Sequence, residues 1–321
     1  MTEQAPLVAV ASAPVPPGGG AEWFFGADGA RLRAALFTPA GPVRGSVVLS
    51  PGRTEVIEKY FEVVGELNAR GFAVLVHDWR GQGLSHHELD DRLKGHARGY
   101  GPFLSDYAAL LAAFEARLPG PWIAVGHSMG GCLTLLALAK GQAPRFAAAV
   151  LSAPMFALQF GKAPKGVARV LTAFNLLIGR SGGYVLGDPG KPFDRTFEGN
   201  VLTHDAARFA RQHDQIDAEP DLALGAPTWG WLDFAFKATG ELARPGALAA
   251  VTLPVTVCSA SEDALVDNVG QQAVAEALPD GRFVVVRGSA HEILMETDDL
   301  RAAFWVEFDA LADRVAPPQR G

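Results

Sequence analysis

The sequence predicts an α/β protein: a mostly parallel central sheet with helices on both faces, interrupted by one inserted, mainly helical segment. Three observations carry this. Short β-branched apolar runs alternate with helical periodicity over residues 21–154. The alternation breaks at Pro154 and stays absent to about residue 250. Strand and helix then alternate again over residues 251–317. Such alternation requires crossover connections, which build parallel sheets covered on both faces. The length of 321 residues suits one large core with an insertion as well as two units.

The elements follow in order. Residues 1–20 contain Pro14, Pro16, Pro17 and Gly18 to Gly20, with Glu3 and no Lys or Arg. A loose, flexible tail is expected there, not a secretory leader, which starts basic. Trp23 to Phe25 and Leu32 to Phe37 read as strands joined at Ala27-Asp28-Gly29. Ser46 to Ser50 reads as a strand buried on both faces. From Val56 to Arg70, Ile57, Tyr60, Phe61, Val64 and Leu67 share one helical face, and Gly71 ends the helix. Then come a strand (Phe72 to Trp79), a helix (Tyr107 to Leu118), a strand (Trp122 to Val125), a helix (Met129 to Lys140) and a strand (Ala148 to Ser152). Residues 155–250 hold helical stretches at Val167 to Ile178 and Ala206 to Gln212. The core resumes with a strand at Val255, a helix from Asn268 to Leu278, a strand at Phe283 to Val286 and a last helix near Leu300 to Leu311.

Composition narrows the function. Apolar residues make up 49% and charged residues 20%, a globular balance. The net charge of −7 offers no footprint for a phosphate backbone, so nucleic acid is excluded as a partner. Two cysteines, Cys132 and Cys258, cannot make a disulfide scaffold or a four-thiolate zinc site. No run of eighteen uncharged apolar residues occurs, and a cytoplasmic protein is expected. No metal-protease, phosphate-loop or dinucleotide motif is present, so no cofactor or metal is expected.

One motif carries chemistry. Gly126-His127-Ser128-Met129-Gly130 follows a strand directly and opens a helix. A tight strand-to-helix turn exposes a serine hydroxyl at the sheet's edge, with helix-start amides beside it. A serine needs a base, and the base an orienting acid. On this kind of turn the chain order is serine, acid, histidine. Of the eight histidines, His291 alone follows the last core strand. Glu262, Asp263 and Asp267 leave the strand before it. Asp263 is the choice and Asp267 the fallback, the latter also suited to capping the helix at Asn268. Two amides should stabilise an oxyanion: Met129, after the serine, and Arg53, in Pro51-Gly52-Arg53-Thr54. The Arg53 side chain fits either a pocket mouth or solvent.

Pro51 to Glu55, Tyr60, Asp78-Trp79-Arg80-Gly81-Gln82-Gly83-Leu84-Ser85, Gly126 to Gly131, Glu262 to Asn268 and Ala290-His291-Glu292 together resemble the α/β-hydrolase superfamily. Within it they are similar to the monoacylglycerol lipase and bacterial lysophospholipase L2 group. Pro51-Gly52 departs from the His-Gly of many relatives. The resemblance implies an α/β-hydrolase fold, with Ser128 as nucleophile, Asp263 as acid and His291 as base. It also makes residues 155–250 a cap, whose Phe156, Trp229 and Trp231 are candidate substrate-pocket residues. The expected activity is ester hydrolysis of a single-chain lipid, lysophospholipid first and monoacylglycerol second. A general carboxylesterase, amidase or peptidase uses the same triad, and a non-catalytic binding protein would fail to label with a serine-directed probe. With a net charge of −7, membrane contact is expected to be weak and peripheral.

Overall fold

The computed structural model describes residues 3–160, 164–185 and 194–318. Among these, strands β1 (Gln4–Ala5), β2 (Gly19–Phe25), β3 (Arg31–Phe37), β4 (Gly45–Ser50), β5 (Phe72–His77), β6 (Trp122–His127), β7 (Phe146–Ser152), β8 (Val255–Ala260) and β9 (Gly281–Val286) form one sheet. Their order is β1-β2-β3-β5-β4-β6-β7-β8-β9. From β5 to β9 all neighbours are parallel, and β1 to β3 add an antiparallel edge. β4, β5, β6 and β8 are buried throughout, as expected of short apolar strands sandwiched between helices. The winding reverses between β4 and β6: β4 leads back to β5, whereas β6 leads on to β7. A crevice opens beyond the carboxyl ends of strands at such a reversal, and this one is flanked by the loop after β4 and the turn after β6.

Helices α1 (Phe61–Ala69), α2 (Gly101–Phe114) and α3 (Met129–Ala139) precede the insertion; α4 (Lys165–Leu177), α5 (Ala206–Ala218) and α6 (Trp229–Leu242) lie within it; α7 (Asn268–Glu276) and α8 (Asp298–Val315) follow. Phe61, Val64 and Leu67 of α1 and Phe304 and Phe308 of α8 build the core on one face of the sheet. Tyr107 and Leu110 of α2, Leu133 of α3 and Val274 of α7 build it on the other, joined by Phe234, Ala235 and Ala238 of α6. The insertion is therefore seated on the core through α6. Among the described residues, no strand of the sheet lies between Ser152 and Val255, and no helix is long and apolar enough to cross a membrane. Cys132 and Cys258 are free and buried, and burial pushes both thiols well above their ordinary range.

The described part of the N-terminal segment, expected as a loose tail, is instead fastened to the sheet. Gln4 and Ala5 pair with Glu22 and Ala21. Val8 N–H donates to Glu58 Oε1 (3.2 Å), and Arg33 donates to the Pro6 carbonyl (3.0 Å). Its Pro- and Gly-rich composition hides this because the partners are the open edge of β2 and a buried ion pair. α2 begins six residues earlier than expected, at Gly101, with Pro102 in its first turn, where a missing N–H costs little. Helix α6 is not marked in the sequence, because it contains Gly230 and Gly240; Thr228 caps it by accepting from Trp231 N–H.

Candidate active site

Ser128 sits between β6 and α3 with φ 49° and ψ −115°. For a non-glycine residue this backbone costs about 1–3 kcal/mol and persists only where its surroundings impose it. Here Ser128 N–H donates to Ser152 O (3.0 Å), and Ser128 O accepts from Met155 N–H (2.9 Å) and Cys132 N–H (3.1 Å). The flanking glycines make the turn possible. A Cβ at Gly126 would lie 2.7 Å from the Gly131 Cα, and one at Gly130 would lie 2.1 Å from the Ser50 carbonyl oxygen. The motif is thus a packing requirement: α3 starts against β6 and the end of β4.

His291 and Asp263 converge on this turn from the far end of the chain. His291 Nε2 is 3.0 Å from Ser128 Oγ, and its Nδ1 is 2.7 Å from Asp263 Oδ2. An ionised carboxylate only accepts, so Nδ1 carries the proton and Nε2 is left to accept from the serine hydroxyl. Asp263 Oδ1 accepts from Leu265 N–H (2.9 Å) and Val266 N–H (3.0 Å). Burial alone would raise the Asp263 carboxyl, but the bond and charge of His291 and the two amides outweigh it and hold it below its ordinary value. Asp267 caps α7 by accepting from Val269 N–H. Glu262 lies near the half-exposed His204 (3.6 Å).

The loop after β4 is bolted from the Asp78-to-Ser85 motif. Gln82 Nε2 donates to Gly52 O (2.9 Å) and Glu55 O (3.2 Å), while its Oε1 accepts from Thr54 N–H (3.0 Å). Trp79 Nε1 donates to Pro51 O (2.8 Å). Asp78 itself ties Arg33 and the Ile57 amide. The loop keeps a fixed shape with proline in place of histidine. The amides of Arg53 and Met129 make no hydrogen bond among the described residues, and both residues line the cavity over Ser128. Two unspent donors beside the serine are what a developing oxyanion requires.

Behind these groups lies a buried charge network that sequence reasoning missed. Glu55 accepts from Gly52 N–H, from Tyr60 Oη–H (2.6 Å) and from His127 Nδ1 (3.0 Å). Lys59 joins Glu55 (2.9 Å) to Glu292 (2.6 Å). His127 Nε2 faces the His291 carbonyl at 3.3 Å. Acceptors face both nitrogens, an arrangement that favours the charged imidazolium. Burial disfavours that charge, but Glu55 overcomes it and raises His127 above its ordinary 6.5. Burial likewise opposes ionised Glu55, yet His127 and Lys59 hold it well below 4.5. The share of stability from Glu55 is present above pH 4.5 and lost as pH falls through its folded value. The share from His127 is complete below pH 6.5 and lost as pH rises through its folded value. Glu55→Gln is therefore expected to destabilise by about 3 kcal/mol between those limits, and by less at pH 9. Urea unfolding of both proteins at pH 5.5 and pH 9 checks this; a difference that is flat or larger at pH 9 would sink it.

The relay opens into a cavity of about 370 Å³. Core residues form its floor, and the insertion supplies Leu158, Phe160, Val185, Leu202, Trp231 and Leu232. Of the three pocket residues expected from sequence, Trp231 alone lines it. Phe156 is buried in the core and faces a separate cavity beside Arg169 and Leu248; Met155 and Leu158 take the positions expected of it. Trp229 is two residues from Trp231, on another side of α6, with its indole beside Gly183.

A mostly parallel sheet that reverses at a strained serine turn, with helices on both faces, is an α/β-hydrolase. The chain belongs to the family described as "Serine aminopeptidase, S33" (Hydrolase_4), which matches residues 41–298. It is 34% identical over 267 residues to "Lysophospholipase L2" of Escherichia coli K12, covering 80% of this chain and 76% of that protein. It is 28% identical over 278 residues to "Monoacylglycerol lipase" of Mycolicibacterium smegmatis, covering 86% of this chain and 91% of that protein. In fold it is similar to a soluble variant of monoglyceride lipase from Saccharomyces cerevisiae, crystallised with a substrate analog. The TM-score is 0.74 at 19% identity, over 97% of this chain and 99% of that one. The resemblance read from the sequence thus holds, and the chain is an ester-hydrolysing enzyme.

Proposed function

We propose that the protein hydrolyses the carboxylic ester of single-chain lipids, lysophospholipid first, through Ser128, His291 and Asp263 and an acyl-enzyme. The observation that carries the reading is the continuous relay of 3.0 Å and 2.7 Å at the floor of a largely apolar cavity. Ser128 Oγ attacks the ester carbonyl while His291 Nε2 takes its proton. The oxyanion rests on the amides of Arg53 and Met129, and Asp263 steadies the imidazolium. His291 then returns the proton to the departing glycerol oxygen. Water, deprotonated by the same nitrogen, releases the fatty acid. The 34% identity to a lysophospholipase supports the order of substrates. Monoacylglycerol is the second reading, supported by the 28% relative and its wide coverage. Fatty-acid release from lysophosphatidylcholine, monoolein and a short p-nitrophenyl ester separates the two. Preference for monoolein would reverse the order, and turnover of the short ester alone would discard the lipid reading.

The insertion acts in this reading as a cap that also meets the lipid surface. Val167, Val170, Leu171, Phe174 and Leu177 share one face of α4, and all are exposed, Phe174 at 56% and Leu177 at 85%. The segments on either side of α4 reach the cavity at Phe160 and Val185. Lys165, Arg169 and Arg180 add positive charge there, in a chain that is acidic overall. Phe174→Glu with Leu177→Glu is expected to lower turnover of vesicle-borne lipid about 10-fold or more, with the dissolved short ester as the control. Equal loss on both substrates would remove α4 as the contact.

A further inference from the structure

Among the described residues, the buried arginines and lysine are matched by carboxylates, whereas the half-buried Arg53 is not. Arg33 meets Glu58 and Asp78, Lys59 meets Glu55 and Glu292, Arg80 meets Asp106, Arg208 meets Glu62, and Arg301 meets Glu66. Arg53 lines the cavity over Ser128, and among the described residues no carboxylate pairs with it. Its guanidinium donates to the Gly225 carbonyl and lies 5.4 Å from the centre of the Trp231 ring. It packs against Gly95, where a Cβ would come within 2.8 Å of Nη2. This is a held group and not a solvated surface arginine. Its Nε is sealed from solvent and has no acceptor. The indole N–H of Trp231, on the same cavity wall, is also buried without an acceptor. Burial with no counter-charge lowers the Arg53 guanidinium to about 10, so it still carries its charge at neutral pH.

The guanidinium Nε–H and the indole N–H, both sealed from water without an acceptor and both borne by residues of the ester site's wall, cost free energy until an acceptor meets them, and the guanidinium's charge favours an anion. We propose that the Arg53 guanidinium, with the Trp231 indole N–H, binds the phosphate of a lysophospholipid while its ester lies at Ser128. The proposal rests on the esterase reading and deepens it. A phosphodiester offers two anionic oxygens to the planar guanidinium fork. A monoacylglycerol offers neutral hydroxyls and leaves the charge unmet. The backbone amide of Arg53 and its side chain would then serve one substrate at two points, the amide at the carbonyl and the guanidinium at the head group.

The test is the ratio of kcat/KM for 1-palmitoyl-lysophosphatidylcholine to that for 1-monopalmitoylglycerol. It is measured in wild type, Arg53→Gln, Arg53→Lys and Trp231→Phe under one set of detergent conditions. Differences in how the two lipids disperse cancel when each variant's ratio is divided by that of wild type. Arg53→Gln is expected to lower the ratio about 10- to 100-fold, mainly through KM for the phospholipid. Arg53→Lys should recover part of it, and Trp231→Phe should lower it by a smaller factor. A parallel loss on both lipids would make Arg53 a mere tie between the loop and the insertion and would overturn the proposal. So would an unchanged ratio. Absence of serine-dependent turnover in wild type is a separate result, read before any Arg53 variant, and would remove the esterase reading itself.

Discussion

Ser128→Ala is expected to lower kcat on lysophosphatidylcholine by about 10^6-fold. The size follows from how the relay divides its labour. His291 has nothing to deprotonate once Oγ is gone, so the histidine and Asp263 lose their role together. What remains is binding and the amides of Arg53 and Met129, which still favour attack by water to a small extent. The substitution is clean, because alanine is no worse than serine in the strained backbone at φ 49°, and the three backbone bonds that hold the turn do not involve the side chain. Urea stability should therefore match wild type. Fatty-acid release, together with labelling by a fluorophosphonate, is the measurement. Retention of even one-hundredth of the wild-type rate, or labelling of the alanine protein, would mean that the elbow serine is not the nucleophile.

The parts of this site that lie within one local pattern were legible before the structure. The strand–serine–helix turn is such a pattern, since the glycines at 126 and 130 are demanded by contacts within the turn and with the neighbouring strand. His291 followed from chain order, as the histidine after the last core strand, and the structure brings its Nε2 to 3.0 Å from Ser128 Oγ. The acid was ambiguous, because Asp263 and Asp267 leave the same strand and each suits a turn; only the distances separate the carboxylate at His291 from the cap of α7. What stayed hidden depends on partners remote in sequence. Lys59 and Glu292 are 233 residues apart, and nothing near either announces the other. Arg53 was visible as a residue, but its lack of a counter-ion is a property of the folded surroundings. Trp229 and Trp231 are both expected in the pocket as residues of the cap, whereas helix rotation puts only the second in the cavity. The two-residue β1 lacks the length to show a period of its own.

Asp263→Asn is the second large effect, a fall in kcat of about 10^4-fold with the fold intact. The geometry says why an isosteric change should cost so much. Asp263 uses Oδ1 for the amides of Leu265 and Val266 and Oδ2 for His291 Nδ1. In the asparagine protein the side-chain oxygen must serve the two backbone donors, which turns its NH2 group toward His291. Nδ1 then has to accept, the proton moves to Nε2, and the nitrogen facing Ser128 can no longer take a proton from it. The loss is thus one of tautomer and not of shape, and substrate affinity should change little. Asp267→Ala is the matched control, because it removes only the cap of α7, costing about 1 kcal/mol of stability and leaving the relay untouched. Steady-state kinetics of both variants beside wild type decide the assignment. A severe loss in Asp267→Ala with near-normal rates in Asp263→Asn would hand the acid's role to the other carboxylate.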